Sequence, residues 1–301
     1  MASTASRALV PAPSVAAVLE LAKPVTWFPP MWAFGCGAIS AGVAFDGRWL
    51  AVALGVLLAG PLLCANSQAI NDWFDRHVDA INEPQRPIPS GRIAGRWGLY
   101  IAVAGSVVSL ATAAALGAWV LLWATIGLLL AWAYSAPPVR LKRNGWWGNA
   151  AVGVSYEGLA WITGASVMAG GLPGAPILLL ALLYSAGAHG IMTLNDFKSI
   201  RGDQRMGIGS LPVRLGPTSA ARVACLMMAL PQAAVIALLA HWSQPWHAGI
   251  VALLLAVQLV MMRRFLARPA QRALWYSAFG VNFFVLGMLV AALALRNTAA
   301  A

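Results

Sequence analysis

Long apolar runs, broken at short intervals by basic and turn-forming residues, set the pattern of this chain. Stretches such as 50–66 and 246–261 are apolar on every side. A barrel strand would alternate apolar and polar positions over about ten residues, and these runs do not. Lipid offers no partner to backbone N–H and C=O groups, so unbroken apolar runs of this length read as helices. Windows of about 20 residues predict nine of them, at 25–45, 50–70, 97–116, 118–136, 147–169, 174–194, 221–240, 246–261 and 274–295. Tryptophans fall near many of the ends (Trp49, Trp97, Trp119, Trp147, Trp246, Trp275), as an interfacial belt requires. The expected fold is an all-α polytopic membrane protein.

Composition agrees with that reading. Hydrophobic residues make up 60% of the 301 positions and charged residues 10%, where a soluble domain carries about 25% charged. The net charge of +11 does not point to nucleic acid, because the bases sit in short loops between spans. Eighteen Lys and Arg fall on one side: Arg7 and Lys23, then Arg76 to Arg96, Arg140 to Arg143, Lys198 to Arg222, and Arg263 to Arg272. Only Arg48 and Arg296 fall on the other. The bias places the N-terminus and the basic loops in the cytoplasm. Cys36, Cys64 and Cys225 are isolated in apolar segments and read as small buried side chains. Residues 1–18, rich in Ala, Ser and Pro, are expected to be a disordered lead to one domain over 19–296.

The acids change the picture. The chain has nine, and six of them lie in two loops on the same side. The first loop reads AINDWFDRHVDAINEPQRPIPSGR and the second TLNDFKSIRGDQRMGIGSLPVRLG. Both begin Asn-Asp-aromatic and run through mixed charges to a proline. Four crossings separate them, which predicts two four-helix repeats, about 25–136 and 147–261, and a ninth helix at 274–295. Internal repeats often place a membrane protein's site at their interface.

If the second span continues through Asp79, about 100° per residue puts Asn71, Asp75, Asp79 and Asp72 within one quadrant, over about 12 Å of axis. Asp196 and Asp203 fall close together if the sixth span continues, with Gly202 as a candidate break. Like charges on one face repel, so that face calls for a cation. Hard oxygen donors with room for phosphate and water suit Mg²⁺. Arg76, Arg86, Lys142, Lys198 and Arg201 are candidate partners for diphosphate oxygens. The segment RPIPSGR reads as a rigid turn and a candidate lid, with Arg86 and Arg92 toward phosphate. Glu157 falls near the middle of the fifth span, where a carboxyl faces a cavity or a partner. It is a candidate to orient an acceptor or hold Tyr156. Tyr134 is either an interfacial anchor or a ring face beside a positive carbon. His189 reads as a buried, hydrogen-bonded histidine rather than a metal ligand.

These segments resemble the UbiA superfamily of intramembrane prenyltransferases, whose first motif, N-x-x-x-D-x-x-x-D, is met by Asn71, Asp75 and Asp79. The segments at 23–42 (KPVTWFPPMWAFGCGAISAG), 134–149 (YSAPPVRLKRNGWWGN) and 194–216 resemble its chlorophyll and bacteriochlorophyll synthase branch. The likeness runs from about 19 to 290. It implies a nine-helix bundle around a central cavity capped by the two acidic loops. It also implies Mg²⁺ as cofactor and transfer of a geranylgeranyl or phytyl group from its diphosphate to the propionate carboxylate of a (bacterio)chlorophyllide. By matched position it implies Asn71, Asp75, Asp79, Asp196 and Asp203 as metal and diphosphate ligands, with Asp72 a candidate addition. Asp75, Asp79 and Asp203, with Tyr134 if its ring faces the reacting carbon, are the candidate catalytic residues. Ser199 stands where many relatives have a further Asp. The resemblance further implies a bacterial inner or intracytoplasmic photosynthetic membrane, and pigment-biosynthesis or photosynthetic assembly proteins as partners. Within the superfamily the rival acceptors are haem and an aromatic quinone precursor. Outside it the rivals are a cation-coupled transporter and a non-catalytic pigment-binding subunit. Acids gathered at one face, with only Glu157 deep, argue against transport.

Overall fold

A computed structural model describes residues 11–299. Arg7 and the first ten residues of the expected lead lie outside the described residues. All the elements among the described residues are helical. Helix α1 spans Val15–Ala22, α2 Phe28–Ser40, α3 Trp49–Asn82, α4 Trp97–Leu116 and α5 Ala118–Ser135. Helix α6 runs over residues 145–169, α7 spans Ala175–Asp196, α8 Ile200–Arg205 and α9 Leu211–His241. Helix α10 spans Pro245–Ala267, α11 Pro269–Phe279 and α12 Val281–Ala299. Seven helical stretches among the described residues are long and apolar enough to cross a membrane, with α11 and α12 counted as one.

Four expectations need correction. Residues 15–18 are not a disordered lead: Ser14 caps α1, its Oγ accepting from the Ala17 N–H at 3.3 Å. The first span is shorter than 25–45, because Lys23 takes a left-handed backbone before it and Gly42 and Gly47 have positive φ after it. Helix α9 begins ten residues before 221 and kinks at Gly216, whose φ of 76° precedes Pro217. The sixth span stops at Asp196 and a new helix begins at Ile200. The break therefore falls at Phe197–Ser199, and Gly202 lies inside a helix.

Helix α3 continues beyond its apolar stretch and ends at Asn82, one residue before Glu83–Pro84, where a proline forbids continuation. Two π-helical turns interrupt regular helix, at Leu58–Cys64 in α3 and Val154–Leu159 in α6. Such turns displace side chains from the α-helical register and recur at functional sites. Helices α2 and α6 cross closely through small residues. A Cβ on Gly37 would stand 1.9 Å from the Trp161 carbonyl oxygen, and one on Gly164 2.0 Å from that of Phe34. Small residues at such crossings let backbones approach where lipid gives no hydrophobic drive to helix pairing.

The polar loops gather at one end of the bundle. Residues 83–96 form turns, with Ser90 N–H donating to Arg86 O and Ile93 N–H to Pro87 O, as expected of RPIPSGR. The loop after α5 meets the loop after α8: Gly145 N–H donates to Gly209 O at 2.8 Å and Gly209 N–H to Arg143 O at 3.0 Å. Arg92 binds Glu20 of α1, with Nη2 to Oε1 at 2.8 Å.

Candidate functional site

Beneath these loops lies a cavity of about 640 Å³, walled by α2, α3, α5, α6 and α7. Its deeper walls are largely apolar, with Leu58, Leu63, Leu128, Leu159 and Ile191. Its mouth is polar, with Asn71, Tyr134, Asn195, Asp196, Lys198 and Ser199. The π turn of α6 brings three consecutive residues, Ser155, Tyr156 and Glu157, into the wall. The Tyr156 hydroxyl accepts from Gln68 Nε2 at 3.0 Å and lies 3.3 Å from the Cys64 thiol and 3.5 Å from Ser67 Oγ.

The acids of the first motif each meet a base. Asp75 binds Arg140 Nη2 at 3.1 Å and also the Lys142 ammonium. Asp79 binds Arg86 Nη1 at 2.9 Å, and Arg86 also reaches Glu83. Asp72 is 1% exposed and binds Lys23 Nζ at 2.7 Å, with Arg86 at 3.5 Å. Its second oxygen, Oδ2, is buried with no partner. Burial lowers the Lys142 pKa from its ordinary value, against the pull of Asp75. Burial acts the same way on Arg86, but Asp72, Asp79 and Glu83 outweigh it and raise its pKa. Four bases from three segments of the chain, Lys23, Arg86, and Arg140 with Lys142, thus face these acids.

In the second motif, Asp196 accepts from Asn149 Nδ2 at 3.1 Å. Asp203 is buried and accepts from Ser210 Oγ at 2.6 Å and Ser199 Oγ at 3.0 Å. Ser199, at the position where a carboxylate was expected by resemblance, therefore acts as a hydroxyl donor to Asp203. Asp196, Asp75 and Asp203 all lie within electrostatic reach of Tyr134, so acids from both motifs converge on the cavity mouth.

Of the residues singled out by sequence, Asn71, Tyr134, Asp196, Lys198, Tyr156 and Glu157 line the cavity. Asp72, Asp75, Asp79, Asp203, Arg86 and Lys142 stand in the charged layer around its mouth rather than in its wall. Arg76 is turned away: Nη1 donates to the Trp73 carbonyl at 2.6 Å and the guanidinium lies 4.0 Å from that indole's centre. Arg201 is exposed. Arg92, expected toward phosphate, is committed to Glu20. His189 is buried and lies against Trp146, the rings tilted by 32° with centroids 5.4 Å apart, outside the cavity wall. Cys36, Cys64 and Cys225 are buried and free, as expected.

Sequence reasoning missed Arg140, Lys23, Asn149 and Asn195. Arg140 and Lys23 are non-glycine residues with positive φ, 42° and 46°, and each binds an acid of the first motif. Local strain of this kind persists where the surroundings over-determine it. In the sequence both read only as loop charges.

Among the described residues no three His, Cys, Asp or Glu converge on one point. The donor set nevertheless fits Mg²⁺, which takes one or two protein carboxylates and completes its shell with water and phosphate oxygens. Asp75 and Asp79 are hard oxygen donors one helical turn apart, already drawing cations.

Residues 26–287 match the UbiA prenyltransferase family. The bacteriochlorophyll synthase 33 kDa chain of Cereibacter sphaeroides is 56% identical over 95% of this chain and 94% of its own length. The chloroplastic chlorophyll synthase of Oryza sativa is 38% identical over 93% of this chain and 76% of its own. A solved structure of a UbiA homolog from Archaeoglobus fulgidus bound to DMAPP and Mg²⁺ has a TM-score of 0.70 at 20% identity, covering 91% of this chain and 98% of that one.

Proposed function

The chain belongs to the UbiA prenyltransferase family, in its chlorophyll and bacteriochlorophyll synthase branch, and from that membership we propose that it esterifies a (bacterio)chlorophyllide with a geranylgeranyl or phytyl group. The observation that carries this reading is the 56% identity, over nearly the whole chain, to a bacteriochlorophyll synthase chain. Acids from both motifs around a cavity mouth supply the chemistry it needs.

Mg²⁺ held by Asp75, Asp79, Asp196 and Asp203, with Asn71 and Asp72 in support, would neutralise the diphosphate and make it a better leaving group. The homolog bound to DMAPP and Mg²⁺ supports a divalent cation in this role. Lys142 and Arg86 exchange carboxylate partners for phosphate oxygens, and with Lys198 of the cavity lining they stabilise charge as it develops there. Arg76 and Arg201 join them by turning from Trp73 and from solvent. The propionate of the acceptor is ionised near neutral pH, so no general base is required. Its oxygen forms a bond to the allylic carbon as the carbon–diphosphate bond breaks. The Tyr134 ring, at the mouth, faces the carbon as it gains positive character. The apolar walls hold the prenyl chain and exclude water, which would otherwise capture that carbon. Tyr156 and Glu157 flank the acceptor.

We read the bundle as nine membrane helices, two repeats of four and one more, forming a single domain over residues 19–296. The N-terminus and acidic loops then face the cytoplasm of a bacterial inner or intracytoplasmic membrane. The test is to give membranes carrying this protein bacteriochlorophyllide a and geranylgeranyl diphosphate, with Mg²⁺ or with EDTA. A Mg²⁺-dependent ester, identified by mass, is the expected product. No ester from folded protein with Mg²⁺ present overturns the reading, and haem and 4-hydroxybenzoate are then the acceptors to offer.

A further inference from the structure

Glu157 stands apart from the other acids. It is 8% exposed and lines the cavity, and among the described residues no hydrogen bond or charge acts on its carboxyl. It lies eight residues along α6 from Asn149, the partner of Asp196, and so about 12 Å below the mouth. An unpartnered carboxyl at that depth is costly unless a ligand answers it. The diphosphate does not, since it is an anion and its bases are at the mouth. The prenyl chain does not, since it has no polar atom.

The acceptor macrocycle remains. Its carboxylate must sit at the mouth, beside the reacting carbon. The ring ketone lies on the propionate side of the macrocycle and stays near the mouth with it. The group that reaches deepest is the ring substituent on the opposite side. In bacteriochlorophyllide a that substituent is an acetyl group, and in chlorophyllide a it is a vinyl group. We propose that Glu157, as the neutral acid, donates its O–H to this acetyl carbonyl and thereby selects bacteriochlorophyllide a over chlorophyllide a. The inference rests on the acceptor class given above. Tyr156, its neighbour, is held by Gln68, Cys64 and Ser67 of α3, and Glu157 is the one carboxyl among the described residues that lines the deep wall.

The test compares both pigments as acceptors for the wild type, Glu157→Gln and Glu157→Leu, in membranes with Mg²⁺ and geranylgeranyl diphosphate. Glutamine keeps a donor, and leucine keeps only the approximate size. Replacing an unpaired buried acid by leucine should leave the fold intact. The wild type should prefer bacteriochlorophyllide a, and Glu157→Gln should retain most of that preference. Glu157→Leu should lower kcat/KM for bacteriochlorophyllide a about tenfold, chiefly through KM, with a smaller change for chlorophyllide a. The acetyl carbonyl stretch of bound bacteriochlorophyllide a should fall on binding to the wild type and return to its free value in Glu157→Leu. Equal effects of leucine on both pigments, or a stretch that does not move, would overturn the proposal while leaving the esterification standing. A wild type that esterifies neither pigment overturns the esterification itself, and this inference with it.

Discussion

Asp72 and Asp75 are three residues apart on α3, and the structure sets them in different surroundings. Asp72 is almost fully buried and tied to Lys23, which anchors the N-terminal helix to α3. Removing one partner of a buried pair leaves the other charge uncompensated, at a cost of about 3–5 kcal/mol. Lys23 keeps some solvent contact, so Asp72→Asn is expected near the low end, read as a lower thermal midpoint in detergent. Asp75 is 16% exposed, at the mouth. Asp75→Asn is expected to cut kcat at least about a hundredfold, as loss of a key electrostatic group does, and to lower the thermal midpoint as well, because it leaves Lys142, only 8% exposed, without its carboxylate. A full kcat in Asp75→Asn with a lowered midpoint would make Asp75 a structural partner of Lys142 and nothing more. The acids themselves were legible because the chain has so few and keeps them together. Asn149 and Arg140 were not, because each acts on an acid more than forty residues away, and only the folded chain brings them together.

Most of the helices were visible in hydropathy, because in lipid a run of apolar residues has few other structures open to it. Trp97–Leu116 and Ala118–Ser135 fall within a residue of expectation. The breaks were harder to see. Nothing in VSYEGL marks a π turn, and AGPLLC offers only Pro61, because the choice of an i→i+5 bond depends on what the neighbouring helices admit. The crossing of α2 with α6 is of the same kind: Gly37 and Gly164 look ordinary until the facing carbonyl is placed. The Gly164→Leu side chain would have to displace the Phe34 backbone. Overpacking of this sort costs typically about 1–3 kcal/mol, and a backbone obstacle favours the upper end. Purified Gly164→Leu is expected to show a lower thermal midpoint and a loss of acceptor binding, since α6 carries Tyr156 and Glu157. A midpoint equal to wild type would mean that the two helices separate more easily than this packing implies.

Across the whole molecule, chain direction and charge make the same claim. The loops after α3, α5, α7 and α10 all emerge at the end that carries the acids, and so does α1, through Arg92 and Glu20. Arg48 and Arg296 lie at the other end, before α3 and late in α12. On the function proposed above, the positive-inside bias predicts that the diphosphate site opens to the cytoplasm. Labelling can check that orientation directly, because Cys36, Cys64 and Cys225 are all buried and give little background. Ser90, in the turn after α3, and Ser243, between α9 and α10, are both exposed. A cysteine introduced by Ser90→Cys should react with an impermeant maleimide in inside-out vesicles and not in intact cells. Ser243→Cys should do the reverse. If Ser90→Cys reacts from outside, the site opens away from the cytoplasm, and a donor carrying a diphosphate would have to cross the membrane to reach it. The loop charges could then no longer be read as setting the topology, although the cavity and its acids would remain where they are.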